Sequence, residues 1–231
     1  MSVTPRPAVA DCSPTAFIDS DHDRVGAFVA RVIDGAHDDR TRAQRLFAAV
    51  RDEIRYDPYS LATDPTEYRA STVLARGSAY CVPKAVLLTA AARAAGIPAR
   101  LGFADVRNHL QSERLAAAMT TDLFVYHGFS VLWIDGTWLK ASPAFNTDLC
   151  VRFGVAPLDF DGRGHALLHA FTGDGRRHME YVRDRGTRQD LPLGEILATY
   201  AEHYPGVAAT LAKGHDAAKA FSERLGAIPR R

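Results

Sequence analysis

The chain has 231 residues, enough for one well-packed core, and its 47% hydrophobic and 24% charged residues are typical of globular proteins. Its 28 Lys and Arg nearly balance its 27 Asp and Glu, so the charge favours neither nucleic acid nor a membrane surface as a partner. No apolar run approaches the ~20 residues of a membrane span, and no signal peptide is expected. Three widely spaced cysteines, Cys12, Cys81 and Cys150, favour a reducing cytoplasm over a disulfide framework.

The first part of the chain predicts helices. After an irregular lead-in, one helix is expected from about residue 21 to Ile33, and a second from Asp39 to Glu53, where apolar residues recur on one face. Tyr56-Asp57-Pro58 ends the second helix. Residues 60–76 predict a loop, or a short helix after Asp64-Pro65.

The stretch from Arg76 to Arg100 contains a loop, a cysteine, a helix and a sharp stop. From Val82 to Ala95 nearly every residue is apolar or alanine, which indicates a helix buried on most sides, and Pro98 prevents it from resuming. Cys81 is therefore expected at a helix N-terminus, where free N–H groups lower the pKa of a thiol. Lys84, one turn further on, is expected to add a weaker favourable charge.

The middle of the chain predicts antiparallel strands. Ala99 to Val106 alternates well enough for one strand, and a crossing segment follows it. Phe124 to Ile134 and Thr137 to Ala144 predict two more strands, because Asp135-Gly136 between them is a strong signal for a two-residue hairpin loop.

The hairpin determines which side chains can reach His127. With a two-residue loop, His127 lies opposite Ala144, and Ser142 is its diagonal neighbour on the same face, roughly 7–8 Å away at Cα. Asn146 shares that parity, although Pro143 limits the ladder there. Ser142 and Asn146 are therefore both candidates to contact the imidazole.

The last part of the chain is less regular. Residues 146–174 predict a loop-rich segment. Leu167 to Phe171 within it and His178 to Arg183 after it predict an antiparallel pair of strands. Helices are expected at about 191–225. No repeat or linker interrupts the sequence, so residues 1–231 are expected to form one domain with its core at about 40–185.

Two of these segments together resemble the transglutaminase-like superfamily. One is Gly77-x-x-x-Cys81 with its apolar helix and the Gly-Ile-Pro-Ala-Arg that follows; the other runs from His127 through the hairpin to Ser142-Pro143. The resemblance covers about Ile54 to Asn146. It implies an α+β, papain-like fold, in which a buried nucleophile helix packs on an antiparallel sheet, and a Cys–His–Asp triad. This chain has Ser142 where the family usually has Asp.

The resemblance implies a cysteine enzyme without a cofactor that acts on a peptide, amide or thioester acyl donor. Cys81 would form the acyl-enzyme and His127 would act as general base. Water as acceptor makes the protein a hydrolase, and an amine makes it a transferase. For the group that holds the imidazole, Ser142 is favoured by position, and the amide of Asn146 is its close rival.

Other residues are candidates for supporting roles. The N–H of Cys81 is the expected first oxyanion donor, and Tyr56 or Tyr80 would supply a second. Asn108 and His109 either line the cleft or simply end their strand.

Two alternatives stay open. A catalytically silent binding module would keep the cleft, and both Ser142 and a Cys81 thiol that titrates at ~8.5 or above would favour it. A metal-dependent hydrolase would use His165, His169 and His178, since the first two are four residues apart. However, glycines flank that segment, no Glu lies between the histidines and the pattern favours a strand, so no metal site is assigned.

Overall fold

The computed structural model describes residues 5–109, 119–167, 175, 178–204 and 206. Within these ranges the helices are α1 (Asp23–Val32), α2 (Asp39–Glu53), α3 (Ala70–Arg76), α4 (Cys81–Ala94), α5 (Thr147–Phe153) and α6 (Leu193–His203). The strands are β1 (Arg55–Tyr56), β2 (Ser78–Ala79), β3 (Ala99–Asn108), β4 (Leu123–Ile134), β5 (Thr137–Ala141) and β6 (Met179–Arg188). Short 3-10 helices lie at Val9–Asp11 and Pro65–Tyr68.

Helix α4 is the centre of the core. Every residue from Val82 to Arg93 is buried, as the apolar composition predicts. The helix ends where Gly96 adopts a positive φ of 81°, which glycine does at little cost. Helices α1, α2 and α3 pack against α4. The fold is therefore organised around a helix that has almost no contact with water.

The buried polar residues of α4 each have hydrogen-bond partners, as burial requires. Thr89 Oγ1 lies 2.9 Å from Ser130 Oγ on β4, and Ser130 donates to Ala85 O at 3.0 Å. Arg93 donates to three carbonyls, those of Ser13 (2.6 Å), Ala99 (3.0 Å) and Gln189 (2.8 Å). These bonds fix α4 to the sheet and to the chain segments on either side of it.

A four-stranded antiparallel sheet, in the order β5-β4-β3-β6, packs against α4. The predicted hairpin is confirmed, because Ile134 pairs with Thr137 and both loop residues, Asp135 and Gly136, have positive φ angles of 49° and 82°. A second sheet consists of the parallel pair β1 and β2, in which Tyr56 pairs with Ala79. Tyr56 is thereby placed beside the start of α4.

The predicted α+β fold, with a buried helix packed on an antiparallel sheet, is confirmed, while some element ends differ from the prediction. β5 stops at Ala141 instead of continuing to Ala144, because the N–H of Ser142 turns to Ala166 O at 2.7 Å and Pro143 has no N–H to donate. The residues after Asn146 begin with α5, which replaces the predicted loop at that point.

The predicted C-terminal segments are only partly described. β6 pairs with β3, and of its predicted partner, Leu167 to Phe171, residues 168–171 lie outside the described residues. α6 matches the first predicted C-terminal helix, and the second one, beyond residue 206, also lies outside them. The single-domain organisation stays a prediction. Among the described residues, no helix combines the length and apolar character needed to cross a bilayer.

We predict that Gly128→Ala destabilises the protein at the contact between α4 and β4. A methyl group at Gly128 would lie 2.8 Å from Val82 Cα, and a backbone atom cannot move aside as a side-chain tip can. Overpacking of this kind costs ~1–3 kcal/mol, so thermal unfolding should shift downward by several degrees. Gly26→Ala is the control, since a methyl group there meets nothing within 4 Å. An unchanged melting temperature for Gly128→Ala would contradict the close contact.

Candidate active site

Cys81 is the first residue of α4, where the preceding Tyr80 is still extended at φ −88° and ψ −175°. Pro83 is tolerated in this first turn because its N–H would have no helical partner there. The thiol is half-buried, and the N–H groups of Gly128, Val82 and Cys81 itself act on the sulfur. The thiol therefore lies against the backbone of β4, at the residue that follows His127.

Burial raises the pKa of the Cys81 thiol to about 11. The three N–H groups lower it, but their effect is smaller than the loss of hydration. The prediction of a depressed thiol pKa from the helix N-terminus is therefore corrected: the apolar surroundings outweigh the backbone dipoles. At pH 7 the thiol is neutral.

His127 lies on β4 with 5% of its surface exposed. Its Nε2 is 3.1 Å from Ser142 Oγ, and the N–H of Ser142 is held by Ala166 O at 2.7 Å. Burial lowers the pKa of His127 to about 4, because the imidazolium loses hydration and a serine hydroxyl supplies no negative charge in return.

Asn146 lies elsewhere, at the junction of α2 and β1. Its Nδ2 donates to Arg51 O and to Ile54 O (2.9 Å), and its Oδ1 accepts the N–H of Tyr56 at 2.6 Å. The structure thus brings Ser142 to Nε2 of His127, while the amide of Asn146 holds the backbone of Tyr56.

Lys84 also points to this junction. Its Nζ donates to Arg51 O at 2.8 Å and to Ile54 O at 2.6 Å, so it caps the carbonyl end of α2. Burial lowers the pKa of Lys84 to about 7. The prediction that Lys84 adds a favourable charge beside Cys81 is wrong, because its long side chain reaches the end of α2.

Four tyrosines surround the Cys81 site: Tyr56, Tyr80, Tyr200 and Tyr204. Burial raises the pKa of each hydroxyl, and each lies close enough to Cys81 for a thiolate there to raise that pKa further. The ring of Tyr56 also meets that of Phe145 edge-on at 4.9 Å. Tyr200 and Tyr204 come from the end of α6 and were not among the site residues predicted from the sequence. Their spacing of four residues on one helix face is the only signal the sequence carries.

Asn108 and His109 lie at the end of β3. The N–H of Asn108 donates to Asp122 O at 2.9 Å, and that of His109 donates to His178 O at 2.8 Å. His109 Nε2 is 3.3 Å from Glu180 Oε2 on β6. These are the contacts of a strand end, the second of the two alternatives left open for these residues.

The histidines of the metal hypothesis have other contacts. His165 Nδ1 accepts the N–H of Lys140 at 3.1 Å, and His178 stacks on Phe145 with ring centroids 6.0 Å apart. His169 lies outside the described residues. In the described ranges, no three His, Cys, Asp or Glu side chains are grouped so that they could hold a metal ion.

A family model described as the transglutaminase-like superfamily matches residues 26–143, which is half of the chain and includes Cys81, His127 and Ser142. This chain belongs to the transglutaminase-like superfamily. The resemblance seen in the two sequence motifs is therefore confirmed. A search of curated proteins finds no match.

Among solved structures, the chain is similar to a "Putative Cysteine Protease from Cytophaga hutchinsonii", with 16% identity and a TM-score of 0.45 over 58% of this chain and 41% of that one. It is also similar to a "putative protease from Parabacteroides distasonis", with 18% identity and a TM-score of 0.36 over 55% of this chain and 26% of that one. The transglutaminase-like chain thus spans less than half the length of either structure.

We predict that Cys81 reacts slowly with iodoacetamide at neutral pH. Only the thiolate is alkylated, so with a pKa of about 11 the rate should rise about tenfold per pH unit from pH 7 to 10. Mass spectrometry of each cysteine during a pH series measures this rate, with the exposed Cys12 as the internal control that should react ahead of Cys81 at neutral pH. A plateau in the Cys81 rate below pH ~8.5 would show that the dipoles outweigh burial.

Proposed function

We propose that this transglutaminase-like protein is a cysteine-dependent acyl-transfer enzyme that acts on a peptide, amide or thioester. One observation carries the proposal: the Cys81 thiol lies at the N–H of Gly128, directly after His127, whose Nε2 is 3.1 Å from Ser142 Oγ. The proposal assigns the nucleophile to the start of α4, the base to β4 and the orienting group to the end of β5. This is the arrangement that nucleophilic catalysis by a thiol requires.

In the proposed reaction, the sulfur of Cys81 attacks the carbonyl carbon while Nδ1 of His127 takes the thiol proton. The tetrahedral oxyanion then collapses, the bond to the leaving amine or thiol breaks, and His127 returns the proton to that group. Water or an amine next attacks the acyl-enzyme, passing its proton to His127, and the thiol is restored. The acceptor decides between hydrolase and transferase.

The resting pair is neutral, which favours proton transfer during the attack over a preformed ion pair. Burial raises the thiol pKa and lowers that of the imidazole, so separating the charges before substrate binds is unfavourable. In serine hydrolases the nucleophilic hydroxyl is an even weaker acid than this thiol, and the neutral Ser–His pair of those enzymes still acts as nucleophile and base. We infer that Ser142 holds the ring with Nε2 protonated, while contributing no charge to the transition state.

Oxyanion stabilisation is assigned to the N–H of Cys81 at the start of α4, assisted by a tyrosine hydroxyl. Tyr56 is the better supported of the two predicted candidates, because Asn146 and the pairing with Ala79 fix its backbone beside the thiol. Tyr80 stays the alternative. In this proposal Asn146 acts through Tyr56 and not on the histidine.

The second candidate function is the silent binding module. Two observations favour it: Ser142 stands in place of a carboxylate, and burial shifts the pKa values of Cys81 and His127 in the directions that keep both side chains neutral. We also propose a reducing, cytoplasmic compartment, since the three cysteines form no disulfide with one another.

We expect the protein to form an acyl-enzyme with an activated ester such as 4-nitrophenyl acetate. Intact-mass analysis should show one acetyl group on Cys81, and His127→Ala should lose at least 100-fold in its rate of formation, because general-base catalysis contributes ~10²–10⁴-fold. Cys150→Ala is the matched control, since it removes a different, buried thiol and leaves Cys81 in place. If wild type and His127→Ala acylate equally slowly, the silent module is the better account.

Ser142→Asp should retain or raise the acylation rate and change its pH profile. A carboxylate beside Nε2 stabilises the imidazolium, so the pKa of His127 should rise from about 4 toward or above its ordinary ~6.5. The base is active when unprotonated, so the acid limb of the profile should move to higher pH. Ser142→Asn places a neutral group of the same size there and should leave the limb in place. A folded, inactive Ser142→Asp protein would assign the orienting role to another group.

A further inference from the structure

The backbone just before His127 is irregular. Ala104 pairs with His127 and Val106 pairs with Phe124, so Val125 and Tyr126 together face the single residue Asp105. This is a β-bulge, a feature that re-aims a neighbouring side chain and is common next to active sites. His127 is the first residue of the regular ladder beyond it.

The N–H groups of the two bulge residues are taken up by side chains instead of by the ladder. Tyr126 N–H donates to Asp105 Oδ1 at 3.1 Å, and Val125 N–H donates to the hydroxyl of Tyr204 at 2.7 Å. Both groups are buried, so each acceptor satisfies a donor that would otherwise be costly. The bulge therefore depends on Asp105 and on α6.

Tyr126 adopts a positive φ of 56°, in the left-handed region that a bulky residue rarely occupies. Strained backbone of this kind persists only where its surroundings hold it. Three contacts do so here: the Asp105 carboxylate on its N–H, the Arg185 guanidinium 4.2 Å from its ring centroid, and a hydrogen bond from its hydroxyl to Glu195.

The Asp105 carboxylate is itself fixed from the other side. Arg185 Nε donates to the same Oδ1 at 2.6 Å, and both side chains are largely buried. Arg185 reaches this position because β6 also shifts register, with Thr187 opposite Gly102 and Asp184 opposite Ala104. Oδ1 of Asp105, at the centre of β3, thus binds one residue of each bulge, Tyr126 on β4 and Arg185 on β6.

We propose that Asp105 is a positioning residue that sets the orientation of the His127 ring through the N–H of Tyr126. The inference rests on the proposed function, because it assumes that His127 is the base. Asp105 does not touch the reacting atoms. Its effect passes through the peptide that leads into His127, and a displacement of about 1 Å at a catalytic group costs ~10²-fold in rate.

The test compares Asp105→Ala, Asp105→Asn and the control Asp11→Ala in the full chain. Asp11 is a fully buried carboxylate that makes two contacts of 2.7 Å with Arg100, near the start of β3. Its loss therefore reproduces the free-energy cost of removing a buried ion pair. Two quantities are measured: acetylation of Cys81 by 4-nitrophenyl acetate, and the ¹⁵N signals of the His127 ring, which report its tautomer without any turnover.

We expect one tautomer in wild type, protonated at Nε2, and a mixture of both in Asp105→Ala, with acetylation slowed at least 10-fold. Asp105→Asn keeps an oxygen for Tyr126 N–H and should stay within a few-fold of wild type. Asp11→Ala should lower the melting temperature without changing the His127 signals. Wild-type signals and rate in a folded Asp105→Ala protein would overturn the inference.

A third variant covers the case in which Asp105→Ala does not fold. Arg185→Met keeps the packing on the Tyr126 ring and removes the bond that fixes Asp105, so it should broaden or split the His127 signals. Unchanged signals would overturn the inference. If wild type shows one ordered tautomer and no acetylation, the proposed function fails, while the signals of the variants still decide whether Asp105 positions the ring.

Discussion

Burial of α4 is the constraint on which the rest of the structure depends. A helix with apolar residues on all sides must be enclosed by other elements, and here three helices and the sheet enclose it. Each of its polar side chains must then find a partner inside the protein. Thr89, Arg93 and Lys84 do so on three different segments, and these bonds fix where the sheet, the segment at Ser13 and α2 lie around α4.

The same burial also determines the protonation of Cys81 and His127. A helix N-terminus stabilises a thiolate, but here the stabilisation by backbone dipoles is smaller than the hydration free energy that the Cys81 thiolate loses on burial. His127 is affected in the opposite direction for the same reason, since its charged form is the protonated one. In this transglutaminase-like chain Cys81 and His127 are therefore both neutral at rest. Ser142, which carries no charge, does not favour the charged form of His127.

Contacts remote in sequence hold the site in place. The carbonyl end of α2 is capped by Lys84 from α4 and by Asn146 from the start of α5, and Asn146 also binds Tyr56. On the other side, α6 supplies Tyr204 to the bulge next to His127. Helix α6, which lies outside the segment matched by the family model, thus contributes to the surroundings of Cys81.

The sequence alone determined the features that depend on short-range patterns. The apolar run and Pro98 defined α4 and put Cys81 at its start, and Asp135-Gly136 fixed the hairpin register that brings Ser142 to His127. Only the tertiary structure decided the direction of the Cys81 pKa, the direction in which Lys84 points and the role of Asn146. These depend on how deeply a group is buried and on partners far away in the chain, which no local pattern encodes.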